Sequence, residues 1–125
     1  MNCEDWHSGV LKDICDITMG QSPSGEYCNT IGQGAPLLNG PTEFGISSPI
    51  AVQYTTNVKR KSEKDDILFC VRGSTTGRMN WSDKSYAIGR GLAAIHHKKG
   101  SEYKGFVKGL LEYKLPTMLN SANGS

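Results

Sequence analysis

The amino-acid sequence predicts a loop-rich domain of the α+β or β class rather than a helical bundle. The 125 residues suit one domain with a modest core. Only 37% of them are hydrophobic and fifteen are glycine, a low share of the first and a high share of the second. The apolar runs are short and strand-like, most clearly at residues 67–72 and 86–95.

Taken in order, Val10, Leu11, Ile14 and Ile17 fall at helical spacing and predict a short amphipathic helix over residues 10–15, with Trp6 packed against it. Residues 19–40 carry five glycines and two prolines, which reads as loop with one short strand at 35–38. A strand follows at 50–54 (IAVQY). The run VKRKSEKDD then sets Lys59, Arg60, Lys61 and Lys64 against Glu63, Asp65 and Asp66, a solvated and half-cancelled charge stretch. In residues 67–72, Ile67, Phe69 and Val71 alternate with Leu68 and Cys70, so both faces are apolar and the strand is expected to be buried on both sides. Twelve residues, 73–84, separate it from the second run, longer than most hairpin loops. In that second run Gly89 and Gly91 frame Arg90, which predicts a bulge or a close backbone approach. Tyr103, Phe106, Val107, Leu110 and Leu111 then mark one face of an amphipathic helix with Ser101 as N-cap. Pro116 is expected to open a second short helix carrying Met118 and Leu119.

Chemistry-bearing patterns are few. Cys3, Cys15, Cys28 and Cys70 contain no C-x-x-C pair, so no zinc site is expected. The N-terminus is not a signal peptide and no apolar run reaches membrane-span length, so the chain is read as cytoplasmic with reduced thiols. Gly73 and Gly77 enclose three residues and are followed by Arg78, whereas a Walker A loop needs four and a lysine. No NPPY-type methyltransferase signature appears. The Glu102-x-Lys104 and Glu112-x-Lys114 pairs sit on a helix, where residues two apart point away from each other. His96 and His97 read as solvent-facing residues at a strand end. No cofactor, metal or catalytic residue is predicted, and the chain is not expected to be an enzyme. Net charge is only +2, so any nucleic-acid partner would rely on a local patch. The stretch 73–84 offers Ser74, Thr75, Thr76, Arg78, Asn80 and Trp81, side chains that donate to phosphates, read base edges or stack on bases.

The pattern W…LKDICDI…GQSP at residues 6–23 resembles the start of a target-recognition domain in the specificity subunits (HsdS) of type I restriction–modification systems. PLLNGPTEFG at 36–45, DILFCVRGSTTGRMNW at 66–81 and YAIGRGLAAI at 86–95 resemble the same family in order and spacing, and the last two are the most specific. The resemblance covers nearly the whole chain. It implies an α+β fold: a twisted, partly barrel-like antiparallel sheet with flanking helices. It also implies a non-catalytic module that reads one half of a bipartite site on double-stranded DNA, in a complex with a modification (methyltransferase) subunit. The sequence departs from the family pattern after residues 122–125, where the family continues into a final strand segment and a coiled-coil-forming helix. Residues 1–125 are therefore expected to be a single, truncated recognition domain lacking that conserved helix.

On this reading Arg72, Arg78 and Arg90 would meet guanine and Asn80 adenine. Ser74, Thr75, Thr76, Gln21 and Ser22 would serve phosphates or base edges. Lys59, Arg60 and Lys61 would add sequence-independent attraction. The rival expectation is an interaction protein, a decoy or spare domain that binds specificity or modification subunits.

Overall fold

The computed structural model describes residues 13–122, with side chains as far as Tyr113. Its strands are β1 (Cys15–Met19), β2 (Cys28–Asn29), β3 (Ala35–Leu38), β4 (Gln53–Thr55), β5 (Ile67–Cys70), β6 (Met79–Trp81), β7 (Ala87–Ile88) and β8 (Leu92–His97). A helix, α1 (Lys104–Ala122), follows a short 3₁₀ turn at Ser101–Tyr103. The architecture is α+β, with two four-stranded sheets ordered β1-β8-β5-β6 and β2-β4-β3-β7. The first is antiparallel throughout. The second departs from the antiparallel expectation at β3 and β7, which pair parallel. The long connection between those two strands leaves room for the crossover that a parallel pair requires.

β5 lies between β8 and β6 and is buried on both faces, as its alternating apolar pattern predicts. Ile67, Phe69 and Val71 join Cys15, Ala93, Ile95, Val107 and Leu111 in one core. Leu68 and Cys70 join Leu38, Tyr86, Ile88, Leu92 and Ala94 in the other. The period of two thus divides one strand between the helix side and the side facing the second sheet.

Several elements differ from the sequence reading. Asp13 and Ile14 are helical, but Cys15 already belongs to β1, because Cys15 and Ile17 pair across β8 with His97 and Ile95. Trp6, Val10 and Leu11 lie outside the described residues. The fourth strand begins at Gln53 rather than Ile50. The run 86–95 is two strands: β7 in the second sheet and β8 in the first, with Gly89, Arg90 and Gly91 turning the corner. Backbone approach here is very close, and a Cβ on Gly20 would stand 1.9 Å from the Gly89 carbonyl oxygen. The helix runs through Pro116 instead of restarting there. Its start is not capped by Ser101, which belongs to the 3₁₀ turn. Val107 and Leu111 are buried and Leu110 half-buried, whereas Tyr103 and Phe106 are exposed. Those two aromatic rings lie against His97 rather than in the core.

Candidate nucleic-acid interface

Strand direction gathers most of the predicted site. β8 is antiparallel to β1 and to β5, so the C-terminal ends of those two strands meet the N-terminal end of β8. β6, antiparallel to β5, starts at the same end. Gln21, Ser22, Arg72, Ser74, Thr75, Thr76, Arg78 and Arg90 therefore all lie at one end of the first sheet. Backbone bonds tie these segments together. The Gln21 N–H donates to the Ile88 carbonyl at 3.0 Å, and the Val71 N–H to the Gly91 carbonyl at 3.0 Å. The Arg90 N–H donates to Ser22 Oγ at 3.1 Å.

The connection from β5 to β6 is shorter than the sequence suggests, because β6 takes up Met79, Asn80 and Trp81. What remains is a braced turn. Gly73 and Gly77 adopt φ of +68° and +100°, which favour glycine. Thr75 Oγ1 donates to the Arg72 carbonyl at 3.2 Å, and Thr76 Oγ1 to the Gly73 carbonyl at 2.7 Å. Both threonine hydroxyls thus help to hold the loop's own shape. Ser74 is exposed, and so are Arg72, Arg78 and Arg90. Among the described residues no ion pair involves any of the three arginines. The end of the sheet is a cluster of unpaired guanidiniums on a rigid frame.

Asn80 is the clearest correction. The residue is only 7% exposed. Nδ2 donates to the Gly45 carbonyl at 3.1 Å, and Oδ1 accepts the Gly45 N–H at 3.2 Å. Both ends of the amide are therefore engaged in docking residues 44–48 onto β6, and neither is left for a base. Asn80→Ala takes away the donor to the Gly45 carbonyl and leaves the Gly45 N–H only its bond to the Ser48 carbonyl at 3.1 Å, and should cost about 1–3 kcal/mol. A urea unfolding curve with its midpoint unchanged would contradict that role.

The basic run stands apart from the arginine end. Lys59, Arg60 and Lys61 are exposed and line an open groove of about 510 Å³ with Thr18, Val58, Glu63, Asp66 and His96. Lys61 Nζ lies 3.4 Å from Glu63. Beside the groove His96 keeps 40% of its side chain exposed, with Nδ1 3.1 Å from Asp66 and Nε2 3.3 Å from Asp16. Two ring nitrogens facing two carboxylates can both bond only if the ring carries two protons or Asp66 is itself protonated. Burial pushes the Asp66 pKa above the ordinary carboxylate value. His97, expected to face solvent, is instead buried, stacked on Tyr103 with ring centroids 4.5 Å apart, and its Nδ1 accepts the Lys99 N–H.

The sequence reading missed Asn39 and Gln53. Asn39 leaves β3 beside the arginine end and its Nδ2 donates to Gln53 Oε1 at 2.7 Å. The only signal in the sequence is a polar residue directly after the apolar pair Leu37 and Leu38. Among the described residues no group of three or more His, Cys, Asp or Glu is arranged to hold a metal ion. No helix among them is long and apolar enough to cross a membrane.

The type I restriction modification DNA specificity domain family matches residues 3–125. A protein of Methanocaldococcus jannaschii assigned as the type I restriction enzyme MjaX specificity subunit is 37% identical over 115 residues, covering 90% of this chain and 27% of that protein. The crystal structure of the HsdS subunit from Thermoanaerobacter tengcongensis superposes with a TM-score of 0.76 at 31% identity, over 84% of this chain and 26% of that one. A chain from a structure of complex assembly and conformational transition in the type I restriction–modification system gives a TM-score of 0.74 at 30% identity, over 86% and 27%. The chain thus spans about a quarter of the length of the relatives it matches.

Proposed function

Because this chain belongs to the type I restriction modification DNA specificity domain family, we propose that residues 1–125 form one target-recognition domain that reads half of a bipartite site on double-stranded DNA. The observation that carries the reading to particular residues is the convergence of exposed, unpaired Arg72, Arg78 and Arg90 on one end of a braced sheet. Guanidiniums match both phosphate and the O6/N7 edge of guanine. Gln21, Ser22 and Ser74 border them as polar contacts. Lys59, Arg60 and Lys61 contribute long-range attraction from the side. A modification subunit is the protein partner that this reading implies, and the cytoplasm is where such a complex would meet DNA. The decoy reading has no specific observation in its favour.

The test is titration of labelled duplex at two salt concentrations. Half a bipartite site offers few contacts, so phosphate contacts should dominate, with non-specific Kd of roughly 10⁻⁴–10⁻⁶ M at physiological salt and a steep salt dependence. No binding at low salt, or binding indifferent to salt, would refute the DNA role. The proposed domain binds without chemistry of its own. Plasmid incubated with the protein, magnesium and S-adenosylmethionine should be recovered uncut and unmethylated, and nicking or methyl transfer by the pure chain would overturn that part.

A further inference from the structure

We propose that Asn39 and Gln53 together form a composite base reader, selecting adenine over guanine at one position of the DNA target; this rests on the DNA-reading function above. β3 and β7 run parallel with Leu38 opposite Ile88, so Asn39 emerges beside Gly89 and the exposed Arg90. Gln53, the first residue of β4, pairs with Leu37 and so lies diagonal to Asn39 on the neighbouring strand. Each of the two amides has one end bonded to the other, at 2.7 Å. The remaining ends, Asn39 Oδ1 and Gln53 Nε2, have no partner among the described residues, and Asn39 is exposed.

Reversing both amides would exchange the roles of the two residues but would still leave one unbonded amide oxygen and one unbonded NH2 group. That is the complement of adenine's major-groove edge, which offers an N6–H donor beside the N7 acceptor. Guanine presents two acceptors there, O6 and N7, and would set the free amide oxygen against O6.

The local backbone is built to admit this pair. A Cβ on Gly89 would stand 2.7 Å from Asn39 Oδ1 and 3.0 Å from Ser22 Oγ, and a Cβ on Gly91 would stand 2.5 Å from the Asn39 carbonyl oxygen. The glycines framing Arg90 therefore let Asn39 lie alongside the turn that carries it. Asn80, the amide that the sequence offers for adenine, is sealed against Gly45, whereas Asn39 is exposed and Gln53 half-buried.

Selection of bound duplexes from a randomised library by the full 125-residue chain tests the proposal. The protein should select a motif in which one position favours adenine over guanine by roughly 5- to 150-fold, the range of one good bidentate contact. Asn39→Ala and Gln53→Met should each reduce that ratio to about one at the same position and leave the rest of the motif intact. The double variant should lose nothing more. Binding is scored per folded molecule, so a loss of stability cannot imitate the effect. Variants that retain the preference, or that lose it at two different positions or at all positions, would overturn the composite reader while leaving the DNA role standing. A wild-type chain that selects no motif would overturn the sequence-reading function itself, and the composite reader with it.

Discussion

Replacing Arg72, Arg78 and Arg90 together by alanine should leave the melting midpoint nearly unchanged and remove most of the DNA affinity. All three are exposed, and no ion pair among the described residues depends on them, so surface-like stability changes within about 0.5 kcal/mol per site are expected. Each arginine that reads a base is worth roughly 1–3 kcal/mol of binding, so the triple change should lower affinity at least about 100-fold. If all three touch phosphate alone, affinity should fall evenly across sequences and the salt slope should drop by about three. Alanine at Lys59, Arg60 and Lys61 should show only that second, sequence-independent behaviour, because those side chains border a separate groove. Duplex titration at several salt concentrations distinguishes the two cases. A triple-arginine variant that binds like the parent, or that unfolds, would remove these residues from the interface.

Leu111→Ala should cost about 2–5 kcal/mol, the range for a buried leucine whose cavity does not collapse. Leu111 is 1% exposed and Val107 0%, and both enter the core that holds Ile67, Phe69 and Ile95. Among the described side chains, Lys104 also ties the helix start to Asp65 at 2.9 Å. Gly105 and Gly109 each weaken it by roughly 1 kcal/mol relative to alanine, and a Cβ at either position would meet nothing. Phe106 is 59% exposed and Tyr113 83%. Tyr113→Ala should therefore stay within about 0.5 kcal/mol. Guanidinium unfolding of the two variants measures the contrast, and equal midpoints would show that α1 is not fastened through Leu111.

How much of this was legible depended on how local each signal is. β5 was readable because alternation with both faces apolar has one strand solution, and burial on both sides followed. β3 was found with the right bounds, since Gly34 and Gly40 punctuate an otherwise irregular stretch. The family resemblance held because RGSTTGRMNW and IGRGLAAI form one structural unit, the arginine turn and the corner beside it. What failed was set by distant partners. Asn80 looks like a base reader until Gly45, thirty-five residues earlier, takes both ends of its amide. His96 reads as a plain strand-end histidine until Asp16 and Asp66 arrive from β1 and from the approach to β5. The run 86–95 reads as one strand, because nothing in its own letters says that β7 belongs to another sheet. Phe106 and Leu111 occupy neighbouring stripes of one helix, and only the packing of the sheet decides which is buried.

The most direct test of the arginine end as the DNA-facing surface is amide NMR of the folded chain during titration with a short duplex at low salt. Shift changes should cluster at residues 20–22, 39, 72–78 and 89–91, the segments that strand direction brings to one end of the first sheet. The opposite end, around Trp81, His97 and Lys104, should stay still. Perturbations concentrated at that opposite end, or confined to residues 58–61, would place the DNA elsewhere and contradict the assignment.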